Sequence, residues 1–121
     1  MKLGKKVYVS GPIAHHDLHE RRDTFARACE DLKKLGYFPV NPFDNGVPDE
    51  EHFTSHMKAD IRMLVGCDYI YMMPNWETSK GCKLEFDVAT SCGMGVIYAC
   101  RDWLHTDLQT QVSLPNWSRH T

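Results

Sequence analysis

Two patterns of apolar and polar positions alternate along the chain, one typical of strands and one typical of helices. Short β-prone runs, such as residues 6–10, end in glycine or proline and predict strands. Longer segments, such as residues 18–35, repeat apolar positions every three to four residues and predict helices. The predicted elements are a strand at 6–10, a helix at 18–35, a strand at 37–40, a helix at 51–65, a strand at 67–73, a helix at 79–92 and a strand at 96–100.

This order predicts an α/β fold, a flavodoxin- or Rossmann-like three-layer sandwich with a small, mostly parallel sheet of four to five strands. Right-handed crossovers favour the strand order 2-1-3-4. Pro39 places the second strand at a sheet edge, and the apolar run 67–73 is typical of a central strand. A length of 121 residues fits one domain, 1–121. The tail from Arg101 has no clear periodicity, so no element is predicted there.

A sheet of this kind opens its ligand crevice at the carboxyl ends of the strands where the strand order reverses, here the first and third. The residues expected to bind a ligand at these ends are Ser10, Gly11, Pro12 and Ile13 after the first strand, and Asn75 and Trp76 after the third. The third helix begins beside the second group. The fold therefore predicts the location of a site before any chemistry is considered.

The start of the third helix carries candidate chemistry at this crevice. Ser79 can cap the helix while its hydroxyl and the first-turn amides face an anion, and Gly81 allows close approach of a ligand. Glu85 shares a helix stripe with Cys82 and Ala89, and the helix N-terminus favours its ionised form, which suits a nucleophile. Acids are common near helix starts, so the helix alone favours a role for Glu85 in stabilising the helix dipole only.

Two further polar residues each have two possible roles, and a third, Asp68, has a structural one. Asp60 stands near the C-terminal part of its helix, where the dipole disfavours a carboxylate, so it is either functional or a solvated surface residue. Tyr8 is either a core residue or a hydroxyl that orients a carboxylate in the crevice. Asp68 is expected to accept hydrogen bonds at a strand entrance.

Composition narrows the classes of partner. The chain is 42% hydrophobic and 25% charged, with a formal charge of -2 and a pI near 6.4. This balance gives no general attraction to nucleic-acid polymers or anionic membranes, so a bound phosphate should be a small one. No apolar run approaches the roughly 20 residues that span a bilayer, and no signal peptide is visible, so a cytoplasmic protein is expected.

Metal-binding residues are numerous but lack the usual spacing. The five cysteines form no CxxC pair. The histidines cluster at His15, His16 and His19, with His52 and His56 four residues apart but without the HExxH pattern. No metal site is expected.

Three short motifs nevertheless occur in a specific order. They are Tyr8-x-Ser10-Gly11, then Asp60 followed eight residues later by Asp68, then Ser79-x-Gly81-x-x-x-Glu85. Together they resemble the nucleoside 2-deoxyribosyltransferase superfamily, which includes deoxynucleoside 5′-monophosphate N-glycosidases. The resemblance extends from about residue 8 to residue 98.

The resemblance implies a mechanism and an assembly. Glu85 would attack the anomeric carbon of a nucleoside or nucleotide, Asp60 would contact the base and assist its protonation, and Tyr8 would orient Glu85. Such enzymes need no metal or organic cofactor. They complete each site with residues of a neighbouring subunit, so a homodimer or larger homo-oligomer is expected. Water as acceptor gives hydrolysis, and a second base gives exchange.

Within the resembled superfamily, the residue at position 79 differs between enzymes that use free nucleosides and enzymes that use phosphate esters. Transferases of free nucleosides tend to carry an acid there, whereas Ser79 resembles the hydrolases that use phosphate esters, which favours a 5′-monophosphate, most simply a deoxynucleotide. The loop 14–16 contains no arginine, although Arg21 and Arg22 follow closely. Three alternatives stay open: a deoxyribosyltransferase of free nucleosides, a non-catalytic nucleotide-binding or sensing module, and an enzyme acting on a larger N-riboside such as NAD.

Overall fold

A computed structural model describes residues 4–99 and 110–113. Its helices and strands are β1 (Lys6–Ser10), α1 (Leu18–Lys34), β2 (Phe38–Val40), α2 (Phe53–Leu64), β3 (Tyr69–Met72), α3 (Lys80–Ser91), β4 (Gly95–Ala99) and β5 (Thr110–Ser113). Short 3-10 turns follow β2 at Pro42–Asp44 and β3 at Trp76–Thr78. Within these described ranges, no helix has both the length and the apolar character needed to cross a bilayer.

The strands form one sheet in the order β2-β1-β3-β4-β5. The first four strands are parallel, and β5 pairs antiparallel with β4. The predicted α/β class, the order 2-1-3-4 and the edge position of the second strand are therefore confirmed. β5 was not predicted, because a strand of four residues is too short to give a periodic pattern of its own.

Alternation along β1 divides the core between the two faces of the sheet. Val7 and Val9 pack in the cluster that includes α1, whereas Tyr8 belongs to the cluster on the opposite face, which α2 and α3 cover. Ser10, two residues after Tyr8, shares its face. Two hydroxyl groups therefore lie side by side beneath α3, at the carboxyl end of β1.

Gly11 follows this strand end in a tightly packed segment. A Cβ atom at Gly11 would lie 2.6 Å from the sulfur of Met73 and 3.0 Å from the ring of Phe25. Glycine therefore lets the chains leaving β1 and β3 pack closely, and a larger residue would force these side chains to shift. This close approach brings the loops after the two strands to one edge of the sheet.

Candidate active site

A cavity of about 850 Å³ opens at this edge of the sheet. Its walls are the loops after β1 and β2, one face of α2 and the first turns of α3. The predicted site residues that line it are Tyr8, Gly11, Pro12, Ile13, Asp60, Ser79, Gly81 and Glu85. The volume falls in the range of small-molecule sites.

Glu85 lies at the inner end of this cavity with both carboxylate oxygens held. Tyr8 donates its phenolic hydrogen to Oε2 at 2.7 Å, and Ser10 donates its hydroxyl hydrogen to Oε1 at 2.6 Å. Glu85 is 5% exposed, and Cys82 and Ala89, which share its helix stripe, are also buried. Hydrogen bonds this short to a buried carboxylate fix its orientation.

The protonation of Glu85 is governed mainly by burial. The pKa of Glu85 is raised to about 7: desolvation by burial is the largest cause, the hydrogen bonds from Ser10 and Tyr8 oppose it, and the charge of Asp60 adds to it. The sequence suggests an ionised carboxylate favoured by the helix start, but in the structure loss of hydration outweighs that effect. The pKa of Tyr8 is raised well above its ordinary value, first by burial and then by Glu85, so Tyr8 stays a donor.

This raised pKa predicts a pH-dependent stability. The carboxyl has an ordinary pKa of 4.5 and a folded value of about 7, so the free energy of unfolding falls as the pH rises between them. Glutamine does not titrate, so Glu85→Gln avoids this fall in the free energy of unfolding. The variant should be more stable than wild type at pH 8 by on the order of 1–3 kcal/mol, and the difference should vanish near pH 4.5.

Thermal unfolding at pH 5 and pH 8 measures this effect. Glu50→Gln, at an exposed position, serves as the control and should shift the melting temperature little at either pH. An equal shift for Glu85→Gln at both pH values would contradict the assignment of an elevated pKa.

Asp60 lies on α2 within the same cavity and is only 7% exposed. Its Oδ1 accepts a hydrogen bond from Nδ2 of Asn45 at 2.8 Å. Burial raises the pKa of Asp60, while the Asn45 bond and the proximity of His56 lower it. The interpretation of Asp60 as a solvated surface residue is therefore wrong, because its side chain is buried and hydrogen-bonded to an amide.

Asn45 is a site residue that the sequence pattern missed. It follows the 3-10 turn after β2, in a stretch predicted only as a turn-rich loop. Its partner Asp60 is 15 residues away on a helix. An Asn-Gly pair indicates a turn, but no periodicity indicates which distant side chain that turn will meet.

Ser79 and Gly81 lie at the N-terminal end of α3. Ser79 is the N-cap, as predicted, and its Oγ accepts from the backbone N–H of Cys82 at 3.2 Å. A Cβ at Gly81 would lie 3.2 Å from the sulfur of Met57, so this glycine also lets α3 approach α2. Gly81 also lines the cavity.

The loop after β3 contains two of the predicted site residues, Asn75 and Trp76. The Trp76 ring stacks on Phe86 with centroids 4.9 Å apart, and Asn75 is exposed in the left-handed region at φ 68°. Neither residue lines the cavity. The structure therefore does not bring them together with Glu85, and their contact with a ligand stays a prediction.

The remaining polar residues with sequence predictions have clear positions. Asp68 accepts from the backbone N–H of Lys6 at 3.0 Å, which is the structural role expected of it. His15 and His16 line the cavity mouth, and Arg22 is paired with Asp49 at 2.7 Å. Across residues 4–99 and 110–113, no group of three metal-ligating side chains converges.

The sequence also belongs to a recognisable family. A family described as a domain of unknown function (DUF4406) matches residues 5–98. The chain belongs to the DUF4406 family. The match runs from the start of β1 to β4 and so includes every element that forms the cavity. No curated protein matches the sequence of this DUF4406 domain.

Several solved structures of proteins with named activities are similar to the DUF4406 domain. A 2-deoxyribosyltransferase from Bacillus psychrosaccharolyticus is 20% identical and has a TM-score of 0.59, with 77% of this chain and 70% of that chain covered. A 2-deoxyribosyltransferase from Leishmania mexicana is 22% identical with a TM-score of 0.60, covering 81% and 65%. The CMP N-glycosidase BcmB from Clostridium botulinum is 19% identical with a TM-score of 0.54, covering 78% and 67%.

These similarities establish the fold. The chain spans between 65% and 70% of the length of the three structures. The resemblance to the nucleoside 2-deoxyribosyltransferase superfamily, which the three sequence motifs indicated, is confirmed at the level of the fold. Because one fold can carry many activities, the function has to be argued from the site.

Proposed function

We propose that this protein cleaves the N-glycosidic bond of a nucleoside 5′-monophosphate, most simply a deoxynucleotide, through a glycosyl ester of Glu85. The observation that carries the proposal is the buried Glu85 carboxylate held by Tyr8 and Ser10 at the inner end of a cavity that also contains Asp60. Structures with the same fold include two 2-deoxyribosyltransferases and a CMP N-glycosidase, all named for chemistry at this bond.

The geometry supports Glu85 as the nucleophile. Its two oxygens are oriented by hydroxyl donors, and a pKa of about 7 leaves a large ionised fraction at neutral pH. A desolvated carboxylate is more reactive toward an electron-poor carbon than one surrounded by water. The cleavage passes through a cation-like sugar, which a nearby carboxylate stabilises and then traps.

The proposed reaction has two steps. A Glu85 oxygen forms a bond to C1′ while the C1′–N bond breaks, and the bonding pair leaves with the base. Asp60, whose pKa is raised by burial, supplies the proton that the departing base needs. Water then attacks C1′ as the C1′–O bond to Glu85 breaks, and the proton that the water loses returns to Asp60. This releases the sugar 5-phosphate and the Glu85 carboxylate and restores protonated Asp60. A second base in place of water would give exchange.

The first turn of α3 supports a phosphate on the substrate. Ser79 and the N-terminal amides of the helix can bind an anion, and no carboxylate stands at position 79 to repel it. Lys80 also lines the cavity, with its ammonium group 5.9 Å from the centre of the Phe53 ring. His15 and His16 border the same cavity and can donate further hydrogen bonds.

A charge placed at Ser79 tests the phosphate. Ser79→Asp keeps a good N-cap but sets a carboxylate against the phosphate, so kcat/KM for a 5′-monophosphate should fall at least ~10-fold while the free nucleoside is spared. Ser79→Asn caps the helix without charge and is the matched control. If Ser79→Asp affects both substrates alike, the phosphate contact is absent and free nucleosides become the better substrate class.

The proposed activity is tested by incubating the protein with nucleosides and nucleoside 5′-monophosphates and measuring free base by chromatography. Release of base from monophosphates supports the proposal. Base exchange only in the presence of an added free base would favour a deoxyribosyltransferase. Nucleotide binding without any turnover would favour the sensing module, and the hydrolase would then be excluded.

A further inference from the structure

Three polar side chains on one wall of the cavity are joined by hydrogen bonds. Nδ2 of Asn45 lies 2.8 Å from Oδ1 of Asp60 and 3.2 Å from Nδ1 of His56. Oδ1 of Asn45 accepts from the backbone N–H of Val47 at 2.9 Å. Asn45, His56 and Asp60 all line the cavity. We call these three residues the Asn45 clamp.

The contact with Val47 fixes the orientation of the Asn45 amide. A backbone N–H can only donate, so the atom of Asn45 that faces it must be the carbonyl oxygen. The opposite atom is then the NH₂ group. Its two hydrogens match its two neighbours, one directed to Asp60 and one to His56. The whole hydrogen-bonding capacity of the amide nitrogen is used within the clamp.

This orientation determines the tautomer of His56. The amide nitrogen has no lone pair to offer, so Nδ1 of His56 must be the acceptor. The ring therefore carries its hydrogen on Nε2. A proton on Nδ1 would face another donor and break the clamp. His56 lines the cavity, and Nε2–H is the donor left for a ligand.

The same orientation selects the reactive oxygen of Asp60. Oδ1 is engaged by Asn45, so a proton on Asp60 resides on Oδ2. His56 and Asp60 are four residues apart on α2, and residues at that spacing lie on the same helix face, about 5–6 Å apart at Cβ. The clamp therefore presents two adjacent groups to the cavity: the Nε2–H donor of His56 and Oδ2 of Asp60.

We infer that His56 donates an Nε2–H hydrogen bond to the leaving base beside Asp60, and that Asn45 is the positioning residue that sets both groups. This inference rests on the proposed function. Asp60 transfers the Oδ2 proton to the base, whereas His56 keeps its proton and only donates a hydrogen bond. The base must therefore carry an acceptor, a carbonyl oxygen or ring nitrogen, near the atom that Asp60 protonates. Negative charge grows on that acceptor as the glycosidic bond breaks, so the bond strengthens in the transition state.

Two amide substitutions at His56 separate its two nitrogens. In His56→Gln the side-chain amide reaches the position of Nε2, so a donor to the base is kept and the acceptor for Asn45 is lost. In His56→Asn the amide reaches only the position of Nδ1, so the clamp is kept and the donor is lost. We expect kcat/KM for deoxynucleoside 5′-monophosphates to fall at least ~10-fold in His56→Asn and less than about fivefold in His56→Gln.

The reverse order of these two losses, or equal losses, would overturn the inference, because His56 would then serve only to satisfy Asn45. Asn45→Asp supplies the second measurement, since it keeps the acceptor for Val47 but replaces both donated hydrogens. It should slow substrates with poor leaving bases more than those with good ones. A uniform loss would mark Asn45 as a purely structural residue.

Ligand binding keeps this test separate from the test of the proposed function. Affinities of the variants for the same deoxynucleoside 5′-monophosphates are measured by calorimetry. If wild type binds the nucleotides without releasing base, the proposed hydrolase fails, but weaker binding by His56→Asn than by His56→Gln still supports the base contact. If the two variants bind alike and turn over alike, the inference fails while the hydrolase stands.

Discussion

Glu85→Gln is expected to reduce base release by at least a thousandfold. The glutamine amide is close in size to the carboxyl group but cannot form a stable glycosyl ester, and loss of a covalent nucleophile typically costs several orders of magnitude in rate. Tyr8 and Ser10 can rotate their hydroxyl groups to meet the amide, so the fold and ligand binding should persist. Single-turnover release of free base, measured by chromatography, gives the rate.

Asp87→Asn is the matched control, because it removes an exposed carboxylate from the same helix two residues further on. It should leave the rate within about twofold. Wild-type protein quenched during turnover should carry a sugar phosphate adduct detectable by mass spectrometry, and Glu85→Gln should not. A variant that keeps more than about a tenth of the wild-type rate would show that Glu85 is not the nucleophile.

Asp60→Asn should lower kcat/KM about 100-fold for substrates with poor leaving bases and much less for those with good ones. The physical reason is that a base that holds negative charge well does not need a proton to depart. Asn45 can still donate to the new amide oxygen, so the variant should fold. The measurement is kcat/KM across nucleotides whose bases differ in leaving ability.

Asp49→Asn controls for the general loss of negative charge from the cavity, since Asp49 lies at its border and pairs with Arg22. That variant should change all substrates equally. If Asp60→Asn also shows a small and uniform loss, Asp60 holds the structure of the site and does not assist the departing base.

Much of the fold was predictable because its signals are local. α1 has a capping aspartate at position 17 and apolar residues at helical spacing, and the observed helix ends one residue before the predicted end. β3 is a run of buried residues, which is typical of a central parallel strand. The strand order then follows from the handedness of the crossovers.

The site was predictable where its residues share a single element. Ser79, Gly81 and Glu85 lie on one helix, so their spacing alone sets their geometry. Tyr8 and Ser10 alternate on one strand and therefore face the same side. The sequence could not indicate that burial would raise the pKa of Glu85, because desolvation depends on what covers the side chain in three dimensions.

The Asn45 clamp was missed for a similar reason. His56 was weighed only as a metal ligand, since histidines at positions i and i+4 suggest metal binding. Its observed partner is an amide from a loop after a different strand, 11 residues earlier in the chain. Neither the turn signal at Asn45 nor the helical periodicity around His56 indicates that these two side chains will be in contact.

The bonds that hold Glu85 also determine when activity can first arise during folding. Tyr8 and Ser10 precede their carboxylate by 77 and 75 residues. Such distant contacts form only after the chain between them has been ordered, and they are among the slowest to form. A nascent or partly folded chain therefore lacks the oriented Glu85 carboxylate. Under the proposed function, a nucleotide would meet this carboxylate only after most of the domain has been synthesised and folded.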